Sequence, residues 1–215
     1  RSPGNASAAM AAPGGWAWTV LPGGVPDAAD TAGALVALKR LTDAGCALTP
    51  TLAVRKGIRW LLSLQNRDGG MPTFCRGWGR LPFDRSCPDI SAHALAAWAS
   101  WRDDSALTHR DRRRLDAAMR RMVDYLKREQ HVSGCWMPLW FGHQDSEYGR
   151  NPVVGTARVV DALRAAQTAL AASGRASEVT RMLAAGKRWL VQAQQPEGGW
   201  SAGACATAEE TALAV

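Results

Sequence analysis

Gln130-His131-Val132-Ser133-Gly134-Cys135-Trp136 decides the fold, because it recurs. The same Gln-x-x-x-Gly-x-Trp pattern returns as Gln194, Gly198 and Trp200, and stands earlier as Gln65, Gly69 and Met71, at steps of 64 and 65 residues. Self-similarity at a fixed period is the signature of a repeat architecture. Each copy closes a helical stretch that ends on an aromatic-Leu pair: Trp60-Leu61, Tyr125-Leu126 or Trp189-Leu190. Gly14-Gly15-Trp16 reads as the tail of a further copy, so the repeats end near Trp16, Met71, Trp136 and Trp200.

A second series interleaves with the first. Thr31-Ala32-Gly33, Ser91-Ala92-His93, Thr156-Ala157-Arg158 and Thr211-Ala212-Leu213 share a hydroxyl, an Ala and any residue, followed by small and branched apolar residues. A hydroxyl or acid just before an apolar run signals a helix start, which would place the cap at or beside these hydroxyls. The helices that follow, Thr31 to Leu41, Ser91 to Trp101 and Thr156 to Leu170, are nearly apolar around their circumference and must be buried on most sides. Leu52 to Gln65, Arg110 to Gln130 and Val179 to Gln194 are charged and amphipathic, as outer helices are. Inner and outer helices in alternation describe an all-α fold, either an α/α barrel or an α-solenoid, over a single domain spanning residues 1–215. The segments Gly69 to Asp89 and Gly134 to Asn151 are long and rich in Gly, Pro and Trp, as loops of a binding face are.

Five cysteines form no CxxC pair and no zinc-spaced Cys/His cluster, which argues against a disulfide framework or a metal and fits a reducing, intracellular setting. Much of the net charge of +7 lies on the helix from Arg110 to Arg128, a solvated face or a surface for anionic lipid. No nucleic-acid motif accompanies it, so nucleic acid is not an expected partner. No apolar run is long enough to span a bilayer, which leaves a cytoplasmic or peripheral (monotopic) membrane-associated protein.

Gly14-Gly15-Trp16-Ala17-Trp18 followed by Pro26-Asp27-Ala28-Ala29-Asp30-Thr31-Ala32, together with Pro88 to His93, Tyr125 to Gln130 and Asn151 to Thr156, resembles the C-terminal domain of squalene-hopene cyclases and related class II terpene cyclases. The resemblance covers essentially the whole chain. It implies an α/α barrel, incomplete here at about three and a half helix pairs, which takes squalene or a related polyprenyl lipid, uses no cofactor, works at a membrane surface and pairs as a homodimer. In that family an acid of the Asp-x-Asp-Asp box protonates a terminal alkene, flanked by two further acids and helped by a His on the next buried helix. By position, Asp27 and Asp30 are the flanking acids and His93 the helper; Ala29 occupies the donor position. Trp16, Trp18 and Tyr148 fall at or near the family's cation-stabilising aromatics, and Val154 replaces an aromatic.

Alanine cannot donate a proton. Asp27 is the better local substitute, because an acid that caps the helix, as Asp30 would, is held ionised by backbone donors. Three readings follow: a protonation-initiated cyclase with a replaced acid, a non-catalytic lipid-binding relative, and an α-solenoid interaction protein.

Overall fold

The computed structural model describes residues 13–46, 51–78, 81–140, 142–171 and 174–215. Among these residues the chain forms seven α-helices: α1 (Ala28–Asp43), α2 (Thr51–Leu64), α3 (Pro88–Trp101), α4 (His109–Glu129), α5 (Pro152–Ala171), α6 (Ala176–Gln192) and α7 (Ala208–Ala214). Odd-numbered helices pack side by side, α1 on α3, α3 on α5 and α5 on α7, while α2, α4 and α6 cover them from outside. This is the inner and outer layering of an α/α toroid, with about three and a half helix pairs. The two strands, β1 (Met71–Pro72) and β2 (Ser86–Cys87), pair antiparallel with Met71 opposite Cys87 and close the long loop between α2 and α3.

Composition decides the layers. On α3, Ile90, Ala92, Ala94, Leu95, Ala97, Trp98 and Trp101 are all buried, so the helix is enclosed almost all round. The α4 helix buries Leu115, Ala118, Met119, Met122, Tyr125 and Leu126, one stripe at helical spacing, and keeps its arginines outside. The Trp101 indole N–H donates to the Leu35 carbonyl at 2.8 Å and fixes α3 against α1.

The repeat motif stitches neighbouring pairs together. The Gln65 amide donates to the Gly69 carbonyl (2.8 Å) and to the Ala118 carbonyl of α4 (2.9 Å). Gln130 repeats this with Gly134 (2.9 Å) and Met182 of α6 (3.0 Å). The indoles of Trp136 and Trp200 each donate at 2.7 Å to the Leu carbonyl of the preceding aromatic-Leu pair, Leu126 and Leu190. Gly69 is required here: it sits at φ +97°, and a Cβ would lie 2.3 Å from the Arg121 carbonyl oxygen of α4.

The inner helices begin earlier than the hydroxyls suggest. The cap of α1 is Asp27 and that of α7 is Thr207; α3 opens at Pro88 and α5 at Pro152. The hydroxyls lie inside the first turns because they are used elsewhere. Thr31, Ser91, Thr156 and Thr211 accept the backbone N–H of Trp16 (2.9 Å), Met71 (2.8 Å), Trp136 (3.0 Å) and Trp200 (3.0 Å). Each therefore anchors the last residue of the preceding repeat motif to the inner helix that follows.

Candidate functional site

The N-terminus of α1 is built around Asp27. Its N–H donates to the Trp16 carbonyl at 3.1 Å, and its Oδ1 accepts the Asp30 N–H at 2.7 Å. Asp27, rather than Asp30, is the capping acid, and Asp30 lies at the third helical position with a buried Oδ2 that has no hydrogen bond among the described residues. A capping carboxylate ordinarily titrates low. Here burial outweighs the backbone N–H donors, and with the charge of the neighbouring Asp30 it pushes Asp27 up from 3.8 to about 7. Asp27 is thus an acid poised to hold and release a proton near neutral pH.

Beyond it, the free residues of the hydroxyl-Ala-x triplets on neighbouring inner helices fall near one another. A Cβ on Gly33 would lie 3.4 Å from Cε1 of His93; His93 and Arg158 line one cavity of about 280 Å³, and Arg158 and Leu213 line another. One helical turn earlier stand Ala29, Asp89, Val154 and Glu209. Ala29 is therefore on the face of α1 that looks toward His93, and no side chain there reaches the imidazole. His93 makes no hydrogen bond among the described residues. Burial first, then the positive charge of Arg158, pull its pKa below the ordinary value against the opposing charge of Asp89, which keeps the ring neutral at pH 7. Asp89 is fully buried; its Oδ1 accepts the Cys87 thiol at 2.6 Å, and its Oδ2 lies 3.7 Å from Arg158.

The aromatic candidates separate. Trp16 is half-buried, with its ring over Gly57, where a Cβ would lie 2.4 Å from Cζ3; its backbone holds Asp27 and Thr31. Trp16 thus has a packing and positioning role. Trp18 is 79% exposed, in an open turn with Val20 and Leu21. Tyr148 is 80% exposed and is turned outward by its left-handed φ of 57°, with the Arg150 guanidinium over its ring.

Four other aromatics form the cluster that sequence reasoning missed. Phe74 contacts Phe83 at 5.0 Å and Trp78 at 5.7 Å, and Phe83 contacts Trp140 at 5.0 Å. The Trp140 indole donates to the Thr73 hydroxyl, bringing the loop after α4 onto the loop after α2. Cys75 in the same loop is close enough to Asp27 for that charge to add to burial in raising its thiol pKa. The only advance signal was the Trp and Phe content of two long loops, which does not say which rings meet.

At the α7 end, burial pushes the Glu210 pKa up. Hydrogen bonds from Ser201, the Ala202 N–H and Thr207 outweigh it and hold the carboxyl below its ordinary value. His143 lies with Ser201 at 3.1 Å and completes a fixed polar cluster.

Solved structures with this arrangement include a polysaccharide lyase (14% identity, TM-score 0.59, 83% of this chain and 52% of that one) and a family 88 glycosyl hydrolase from Bacteroides vulgatus (12%, 0.58, 84% and 53%), likenesses of fold alone. In sequence, the chain is 30% identical over 202 residues to an enfumafungin synthase of Hormonema carpetanum, covering 87% of this chain and 14% of that protein. It is 32% identical over 174 residues to a squalene-hopene cyclase of Alicyclobacillus acidocaldarius (71% and 23%), and 28% over 200 residues to a probable squalene-hopene cyclase of Sinorhizobium fredii (87% and 27%). The chain thus spans about a seventh to a quarter of the length of these relatives. The profile of the squalene-hopene cyclase C-terminal domain matches residues 5–214, and the chain belongs to that family of terpene cyclases.

Proposed function

We propose that the whole protein cyclises squalene or a related polyprenyl chain, with Asp27 as the initiating acid in place of a residue at position 29. The observation that carries this reading is the buried cap Asp27, raised to about 7 at the start of the helix on which Gly33 lies against His93. Neutral Asp27 gives its Oδ proton to the terminal C=C, whose π electrons form the new C–H bond. A carboxylate remains on Asp27 and a tertiary cation on the chain. Ring closures then move the cation until a proton is lost. Burial first, and then the neighbouring Asp30 carboxyl, keep the proton on Asp27, and His93 is a neutral polar group lining the cavity between the inner helices. Phe74, Trp78, Phe83 and Trp140 supply quadrupolar faces worth up to about 2 kcal/mol each to a desolvated cation. Family membership supports the polyprenyl substrate.

A non-catalytic lipid-binding relative is the second reading, favoured by Ala29 itself. Product analysis by gas chromatography and mass spectrometry on the whole protein with squalene separates the two. The first reading expects polycyclic product from the native protein, at least a hundredfold less from Asp27→Asn, and product from Ala29→Asp. Product from Ala29→Asp alone would establish the second reading. Undiminished product from Asp27→Asn would remove Asp27 from the mechanism.

A further inference from the structure

Cys87 has no part in the chemistry above, yet it sits where three segments meet. It pairs with Met71 across the two short strands, and it immediately precedes Pro88 and Asp89 at the start of α3. The strand pairing holds its backbone and the proline ring fixes the next φ, so the thiol is placed by the chain around it. Its Sγ accepts the Leu139 N–H at 3.1 Å, from the loop that carries Trp140, and its S–H donates to Asp89 Oδ1 at 2.6 Å. A backbone N–H can only donate, so the thiol proton remains for the carboxylate. Thiol and carboxylate are both fully buried. Burial, then the charge of Asp89, push the Cys87 pKa up, which keeps the S–H in place.

A fully buried carboxylate needs partners for both oxygens. With Oδ1 taken by the thiol, Oδ2 stands 3.7 Å from Arg158 of α5. His93 and Arg158 line one cavity with Asp161, and Gly33 of α1 lies against the imidazole from the other side. We propose that Cys87 is a positioning residue: its S–H pins the Asp89 carboxylate beside Arg158, so that a cation developing near His93 feels the Asp89 charge as well as that of Arg158. The inference rests on the cyclase reading above and adds to it a residue that acts only through Asp89. A carboxylate favours a nearby cation and a guanidinium opposes it, and both effects are strong at low dielectric. The second bond of the thiol, to Leu139, ties that charge to the loop bearing the aromatic cluster.

The test is a double-mutant cycle on the whole protein, read by kcat and KM for squalene cyclisation and, separately, by the titration of the His93 ring in NMR spectra. Cys87→Ala should lower kcat about tenfold, the scale of one lost hydrogen bond to a charged group, with KM little changed. Cys87→Ser keeps an acceptor and a donor and should recover most of the loss. Asp89→Asn removes a charge that raises the His93 pKa, so it should move that midpoint further down. Cys87→Ala should move it the same way, and Cys87→Ser should leave it near the native value. On the Asp89→Asn background, Cys87→Ala should change neither readout further. A His93 midpoint unmoved by Cys87→Ala, or losses that simply add between the two substitutions, would overturn the proposal and leave Cys87 a packing residue. Absence of product from the native protein would defeat the cyclase reading, and the His93 midpoints would still decide whether Cys87 positions Asp89.

Discussion

Asp27 illustrates how one side chain takes two roles from one location. As a cap it suits the α1 N-terminus, and as a buried neighbour of Asp30 it holds a proton that an exposed cap would release. Because the folded-state value is raised, the folded protein binds the extra proton more tightly than the unfolded chain, and stability falls as pH rises from about 4 through about 7. Asn also caps well. Asp27→Asn should therefore match the native protein at pH 4 and exceed it by as much as about 4 kcal/mol at pH 8, measured by chemical denaturation. An equal difference at both pH values would show that Asp27 has an ordinary carboxyl. The sequence placed Asp27, Asp30, Ala29 and His93 because they lie in short motifs on consecutive inner helices. It did not reveal Arg158, hidden in the variable slot of a triplet, or the Phe74–Trp140 cluster, whose members are brought together only by folding of two loops.

At the scale of the element, the repeat motif is a set of bonds between a loop and the next outer helix. Gln65 is buried and joins two carbonyls while accepting from Arg121, whereas Gln194 is exposed and among the described residues donates to the Gly198 carbonyl alone. Gln65→Ala leaves buried acceptors unpaired and should cost about 2 to 4 kcal/mol; Gln194→Ala should cost less than about 1 kcal/mol. Thermal unfolding of the two variants gives the comparison, and equal losses would contradict the stitching role. Helix existence and layer were legible because burial leaves a strong 3.6-residue pattern on α4 and α6 and an all-round one on α3. The inner starts were misplaced by three to four residues because a hydroxyl ahead of an apolar run looks the same whether it caps its own helix or anchors the preceding Trp.

Across the whole molecule, glutamines and indoles of the repeat motif knit the helix pairs together. No helix among the described residues is long and apolar enough to cross a membrane. The turn bearing Trp18, Val20 and Leu21 nevertheless exposes three large apolar side chains side by side. Such a patch favours association. Light scattering should show the 215-residue chain self-associating, and Ser at these three positions should shift it toward monomer; a native monomer at high concentration would contradict this. The alternation of inner and outer helices was legible from periodicity alone, whereas the interior depends on which residues those helices turn toward each other. The central claim is that this interior transfers a proton from Asp27 to a polyprenyl alkene. Incubating the whole protein with squalene in deuterated water and weighing the products tests it most directly. The account predicts a polycyclic product with a single carbon-bound deuterium, lost in Asp27→Asn. No cyclised product, or the same labelled product from Asp27→Asn, would contradict it.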